Sequence, residues 1–231
     1  MDHSEMKALY ISNILPPYRV DLCNDLHEKL DCRICHLSSE TEGLCFSPED
    51  ITARSRFENF IIPSVKVHGK VLIREPESLI SKDTRLVFVN EFSPVMLQIL
   101  SMRRKYGFKV VSFCDDSIDM IRGNDFSRSH SLARRIVPRW LDEIIVNSPD
   151  VCKWYREKYG KGLVMPIIAD DVLMRQRLLL SVPMSEQYVE NYKLEGKKVI
   201  LYVGRLVGLK NLPRLFEAVK AMGDATVALV V

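Results

Sequence analysis

Short apolar runs alternate along this chain with longer segments of helical spacing, and that alternation leaves few folds open. The first run, "ALYISNIL" (Ala8 to Leu15), ends at "PPYR", where Pro-Pro starts a turn and favours a helix just beyond it. Tyr18, Leu22, Leu26 and Leu30 then recur every fourth residue, the spacing of one helix face. "CRICHLSS" follows as a second strand, with Cys32, Ile34 and His36 on one side and Arg33, Cys35 and Leu37 on the other. "NFIIPSVKV" and "GKVLI" read as further short strands, and "TRLVFVNEF" (Thr84 to Phe92) as a buried one. In "SPVMLQILSMRRKYG" Ser93 caps a helix, Pro94 takes its first position and Gly107 stops it. "FKVVSFCDDS" is a strand ending in two acids, and "SLARRIVPRWL" is helical around Pro138. "DEIIVNSP" runs from strand to loop, "DVCKWYREKYG" is a helix closed by Gly160, and "GLVMPII" is a short strand.

A strand, a helix and a second strand in succession require parallel pairing. The expectation for residues 1–168 is therefore a doubly wound, Rossmann-like α/β domain. Residues 169–196 are polar, rich in Met and Leu and less regular; they read as a connector with a helix or two. At residues 197–231 the cycle restarts, with a buried strand at 197–203, a loop to Lys210, and a helix marked by Leu212, Leu215, Phe216, Val219 and Met222. "ATVALVV" is the next strand. Two strands and one helix do not make a stable sheet domain, so the second domain is expected to be incomplete within these 231 residues.

Hydrophobic residues make up 47% of the chain, ample for a packed core and unlike a disordered segment. The 33 basic and 30 acidic residues nearly balance at +3, which gives no support to a nucleic-acid partner. No run has the length of a membrane-spanning helix. The N-terminus lacks the basic start, apolar stretch and small-residue cleavage site of a secretory leader, so a cytoplasmic location is expected.

"CRICH" (Cys32 to His36) has the Cys-x-x-Cys-His spacing of c-type haem attachment. Three points oppose that reading. The expected location is cytoplasmic, where the six cysteines stay reduced. No second Cys/His pair offers zinc-ligand spacing. A strand places Cys32 and Cys35 on opposite faces, the wrong geometry for a shared ligand. Neither haem nor metal is expected.

The segment "ILYVGRLVGLKNLPRLFEAV" carries the clearest chemistry. A strand runs into Gly204, which lets the backbone approach a ligand closely. Arg205 offers a planar fork suited to phosphate, Lys210 a mobile point charge, and the helix that follows its dipole. Together they read as a diphosphate cradle at the carboxyl end of a strand.

"YVGRLVGLKNLPRLFEA" resembles the G-R-L-x-x-x-K-[GN]-[LF] segment that opens the nucleotide-binding domain of family 4 retaining glycosyltransferases. "ISNILPPYRVDLCNDL" resembles their first βα loop in the subset with Pro-Pro-Tyr-Arg. "WLDEIIVNSPDVCKWYREKYG" resembles their strand, Asn-Ser turn and helix, and "LVMPIIADD" their interdomain segment. The four stand in the family's order along the chain. The resemblance implies a GT-B fold, with one complete Rossmann-like domain facing the acceptor and a second for a nucleotide-sugar. It implies transfer with retention of configuration to a saccharide or lipid-linked acceptor, without a metal or other cofactor, in surface polysaccharide or glycolipid synthesis. Gly204, Arg205 and Lys210 would hold the donor diphosphate, and Pro17, Tyr18 and Arg19, with Pro16, would line the acceptor side.

Two departures qualify the resemblance. Many members place a histidine after the strand corresponding to "VVSFCDD"; here Asp115 stands at about that place with Asp116 beside it, and Glu91 is a further candidate at the end of "VFVNEF". All three are candidate catalytic carboxylates, able to hold sugar hydroxyls. Asp115 could equally be a turn cap. The family's Glu-x7-Glu donor motif would lie beyond Val231, so this chain alone is expected to be inactive, as a truncated product, a fragment or half of a split enzyme.

Five arginines (Arg122, Arg128, Arg134, Arg135, Arg139) lie between Met120 and Arg139 against one acid, Asp125. Such a stretch suits peripheral docking at the inner face of an anionic plasma membrane, or is a solvated helix face. His130, within it, reads as a surface residue. Two alternatives remain: a catalytically inactive member serving as a partner or regulatory subunit, and a nucleotide-sugar 2-epimerase, which shares the two-domain architecture but not the Gly-Arg-Leu-x-x-x-Lys pattern.

Overall fold

The computed structural model describes residues 7–38, 40–41, 44–45, 48–123, 126–204 and 206–231. The chain divides into two compact units, Met1–Ala169 and Asp170–Val231.

The first unit is built on a seven-stranded sheet in which every pairing is parallel. Its strands are β1 (Ala8–Ser12), β2 (Cys32–His36), β3 (Phe60–Ile61), β4 (Leu86–Asn90), β5 (Lys109–Cys114), β6 (Glu143–Val146) and β7 (Leu163–Val164). They lie in the order β7-β6-β5-β4-β1-β2-β3. The chain starts at β1, winds outward through β2 and β3, then returns to β4 on the other side of β1. The direction of winding reverses between β1 and β4, and such a reversal opens a crevice at the carboxyl ends of the two strands.

The strands alternate between two core layers. Leu9, Ile11, Cys35, Val87, Val89, Val110, Ile144 and Val146 face the helices α2 (Pro94–Tyr106) and α4 (Pro149–Tyr159). Ala8, Tyr10, Cys32, Ile34, Phe88, Val111, Phe113 and Ile145 face the other way, toward α1 (Val20–Leu30). A parallel sheet covered on both faces needs apolar residues at consecutive positions, and β1 is buried at all five.

The helix ends follow the local chemistry. Ser93 Oγ accepts from Met96 N at 3.4 Å and caps α2, while Gly107, at φ 77°, closes it with a bond to Arg103 O. Ser148 and Gly160 do the same for α4. Along α2, Val95, Met96, Ile99 and Met102 bury their side chains in the α2/α4 layer. Each contributes about 1.5–3 kcal/mol relative to exposure, and Ile99→Ala would cost about 2–5 kcal/mol.

Three expectations need revising. Tyr18 and Leu30 do not continue the buried stripe of α1: Tyr18 sits in the 3-10 turn Pro17–Arg19 before the helix, and both are exposed. "SVKV" and "KVLI" pair with each other as an antiparallel ribbon outside the main sheet. The helix expected around Pro138 is divided, with α3 (Arg128–Ile136) passing into a 3-10 turn, Val137–Trp140. A proline cannot donate to the preceding turn, so the α-helical pattern stops before it.

In the second unit, α5 (Asp171–Asn191) is one helix with Pro183 inside it. The strands β8 (Lys198–Leu201) and β9 (Val227–Val230) pair in parallel, with α6 (Leu212–Met222) between them in sequence. The strand expected to be buried is largely open: Val203 is 85% exposed and Leu201 65%. Two strands have too few neighbours to enclose either face.

Candidate functional site

The carboxyl ends of β1, β4, β5 and β6 carry a linked set of polar side chains. The turn after β1 brings in Arg19. It is 3% exposed overall, and its guanidinium donates to Asp115 Oδ1 at the end of β5. Asn147, directly after β6, donates to the same oxygen at 2.8 Å. Burial works against the charge on Arg19, but the hydrogen bond and charge of Asp115 more than offset it, so the guanidinium holds its proton more firmly than usual. Asp115 keeps 42% of its side chain exposed, and its second oxygen, Oδ2, has no partner among the described residues. Asp115 is therefore not a turn cap. The cap of the next helical turn is Ser117, whose Oγ accepts from Met120 N.

Asp116 leaves the strand end on the opposite face, as alternation along an extended chain requires. Its side chain is 6% exposed and both oxygens are engaged: Arg134 donates to Oδ1, and the Tyr155 hydroxyl donates to Oδ2 at 2.7 Å. The same hydroxyl accepts from Arg134 Nε at 3.3 Å and lies 3.6 Å from Cys114 Sγ. Burial pushes the Tyr155 hydroxyl well above its ordinary range, so it remains a donor. Arg134 also lies over the Phe126 ring at 3.5 Å, and its Nη1 is buried without a hydrogen-bond partner among the described residues.

Glu91 stands at the reversal point, directly after β4. Its backbone is left-handed, at φ 53°, a conformation uncommon for a residue other than glycine and frequent at functional sites. Glu91 N donates to Phe113 O at 2.7 Å and Glu91 O accepts from Ser112 Oγ at 3.2 Å, so the turn is clamped onto β5. Burial raises the pKa of its carboxyl; the charges of Asp116 and Asp115 add to the rise, and Arg134 opposes it. Beside it, the Tyr10 hydroxyl donates to Asn90 Oδ1 at 3.0 Å.

The structure thus gathers Arg19, Glu91, Asp115 and Asp116 at one end of one sheet, although they are distant in sequence. Arg19 turns inward onto Asp115, while Tyr18 stays 52% exposed beside it. Of the five arginines read as a basic stretch, Arg134 turns inward to Asp116, while Arg122, Arg128, Arg135 and Arg139 stay exposed. His130 is half-buried, stacked on Phe126 at 5.3 Å, and burial with the neighbouring Arg134 charge lowers its pKa. Sequence reasoning missed Arg134, Asn147 and Tyr155 as members of this network. Nothing in their local sequence marks them, because their partners lie on other strands.

In the second unit Gly204 follows β8, and Lys210 ends the 3-10 turn Gly208–Lys210 before α6. Arg205 lies outside the described residues. Asn211, at φ 50°, makes the break between that turn and the helix. Lys210 is exposed.

Cys32 and Cys35 lie in opposite core layers and are both fully buried. Burial pushes the Cys35 thiol up to about 12 and Cys32 higher still. Among the described residues no group of three or more His, Cys, Asp or Glu side chains is placed to hold a metal ion. None of their helices is long and apolar enough to cross a membrane. Compared with known families and with curated proteins, the chain matches no family model and shows no significant relative.

Proposed function

We propose that this protein is a retaining glycosyltransferase of the family 4 type, with GT-B architecture, acting at the cytoplasmic face of a membrane in polysaccharide or glycolipid synthesis. The first unit takes the saccharide or lipid-linked acceptor. In the second, Gly204, Arg205 and Lys210 grip the diphosphate of the nucleotide-sugar.

The observation that carries this reading is Asp115. A carboxylate is fixed by Arg19 and Asn147 through one oxygen while its side chain stays 42% exposed, beside the crevice where α/β sheets bind ligands. Such a group accepts hydrogen bonds from sugar hydroxyls without having to reorganise. In the transfer, the bond between the anomeric carbon and the diphosphate oxygen breaks while an acceptor hydroxyl attacks from the same face and gives its proton to the departing diphosphate oxygen. Negative charge grows on the departing diphosphate, and Arg205 and Lys210 stabilise it there. Asp116, with both oxygens engaged, acts as a positioning residue for the strand end.

Thermal unfolding of the chain with UDP-, GDP- and ADP-sugars tests the reading. One nucleotide-sugar should raise the midpoint, and Arg205→Ala or Lys210→Ala should abolish the rise. A rise that survives both substitutions overturns the assignment.

A further inference from the structure

A second feature at the carboxyl edge has no part in the network around Asp115. The ribbon formed by Ser64–Val67 and Lys70–Ile73 turns through His68 and Gly69, both at positive φ, and stands beside the ends of β1 and β2. With those strand ends and the start of α2 it bounds a cavity of about 880 Å3. Asn13, Ser38, Ser64, Ser93, Lys66 and Lys70 supply its polar lining, and no carboxylate lines it among the described residues.

Neither Lys66 nor Lys70 forms an ion pair among the described residues; Lys70 Nζ reaches only the Ser129 hydroxyl, at 3.5 Å. After burial and the Arg134 charge, the Lys70 charge also helps lower the pKa of His130. The Ser93 hydroxyl, which accepts from Met96 N, keeps its own proton to donate. Two lysines with hydroxyl and amide donors, and no acid among the described residues, make a surface that favours an anion with several oxygen acceptors. The volume exceeds that of a bare phosphate and lies in the range of small-molecule pockets.

We infer that this cavity binds a phosphate or diphosphate group carried by a larger molecule, with Lys66 and Lys70 as its charged contacts. On the reading above, that molecule is the acceptor, so the acceptor is anionic; this rests on the acceptor assignment of the first unit, while the anion site itself does not. The group could be borne by a lipid or by a soluble sugar phosphate.

Calorimetric titration of the full chain with inorganic pyrophosphate tests the site. Pyrophosphate should bind, and Lys66→Ala with Lys70→Ala should weaken that binding about tenfold or more. Lys29→Ala with Lys153→Ala, which removes two exposed lysines elsewhere, should leave it unchanged. Binding that the Lys66/Lys70 pair does not alter, or that the control pair weakens equally, overturns the site. Lys210→Ala separates this outcome from the donor assignment: pyrophosphate binding lost only with Lys210 leaves the donor cradle standing and removes the cavity site. Phosphatidylcholine vesicles carrying phosphatidic acid then distinguish the sources. Competition with pyrophosphate identifies a lipid-borne phosphate, and its absence alongside Lys66/Lys70-dependent pyrophosphate binding identifies a soluble one.

Discussion

The guanidinium of Arg19 and the carboxylate of Asp115 form an ion pair across 96 residues of chain, one member buried and the other half-exposed. The pair ties the turn after β1 to the end of β5, on either side of β4. A double-mutant cycle with Arg19→Gln and Asp115→Asn should give a coupling of about 1–2 kcal/mol in urea unfolding, less than a fully buried pair because Asp115 remains solvated. A coupling near zero would show that the pair orders nothing.

Asp116 should be the more costly of the two neighbours to alter. Asp116→Asn leaves the Arg134 charge buried without a counter-ion and should destabilise by about 3 kcal/mol or more. Tyr155→Phe, which removes one hydrogen bond to that carboxylate, should cost about 1.5–3 kcal/mol. Asp115→Asn also takes the counter-ion from a buried arginine, Arg19, but the Asp115 side chain is 42% exposed and already partly solvated, so the change should cost only about 1–2 kcal/mol. In an activity assay Asp115→Asn should lower the turnover of the folded protein, whereas the effect of Asp116→Asn should follow the loss of folded protein. Equal destabilisation by the two Asp→Asn changes would contradict the difference in their burial.

Glu91 should give the protein a pH-dependent weakness. Its carboxyl has a raised pKa in the folded state, so the folded chain holds that proton when the unfolded chain has released it. The Glu91 contribution is thus fully present below the ordinary value of 4.5 and is lost as pH rises through the folded pKa. Glu91→Gln should flatten the decline in this window and be more stable than the parent at neutral pH. Urea midpoints of both proteins across that range check the sign; a parent that gains stability relative to the variant as pH rises would refute it.

The cysteines should behave as packing. Cys23, Cys32 and Cys35 are buried, and burial pushes Cys23 and Cys35 up to about 12. Because the thiolate is the reactive form, all three should resist a thiol reagent such as DTNB at neutral pH and react promptly in denaturant. Rapid labelling of Cys32 or Cys35 in the folded protein would contradict their placement.

The parallel sheet was legible because its signals are local. Ser93, Pro94 and Gly107 punctuate α2 through hydrogen bonds and backbone preferences confined to a few residues, and consecutive apolar residues mark each two-sided strand. The ribbon at 64–73 was legible only as strands. Whether they join the sheet or pair with each other depends on what flanks them. The division of labour between Asp115 and Asp116 was not legible either. The two acids are adjacent and identical, and only the faces they meet distinguish them, with Arg19 on one side and Arg134 and Tyr155 on the other.

The sequence by itself determined the alternation of strand and helix, the helix caps and the places where strands end in polar residues. Periodicity and capping act over one or two turns of chain, so they can be read without knowing the fold. Only the tertiary structure decided that Arg134 leaves a solvent-facing basic run to neutralise Asp116, that Asp115 stays half-exposed, and that Lys66 and Lys70 border a cavity with no acid among the described residues. Each is a matter of which distant group lies opposite, and burial then fixes whether a charge must be paired or can stay in water.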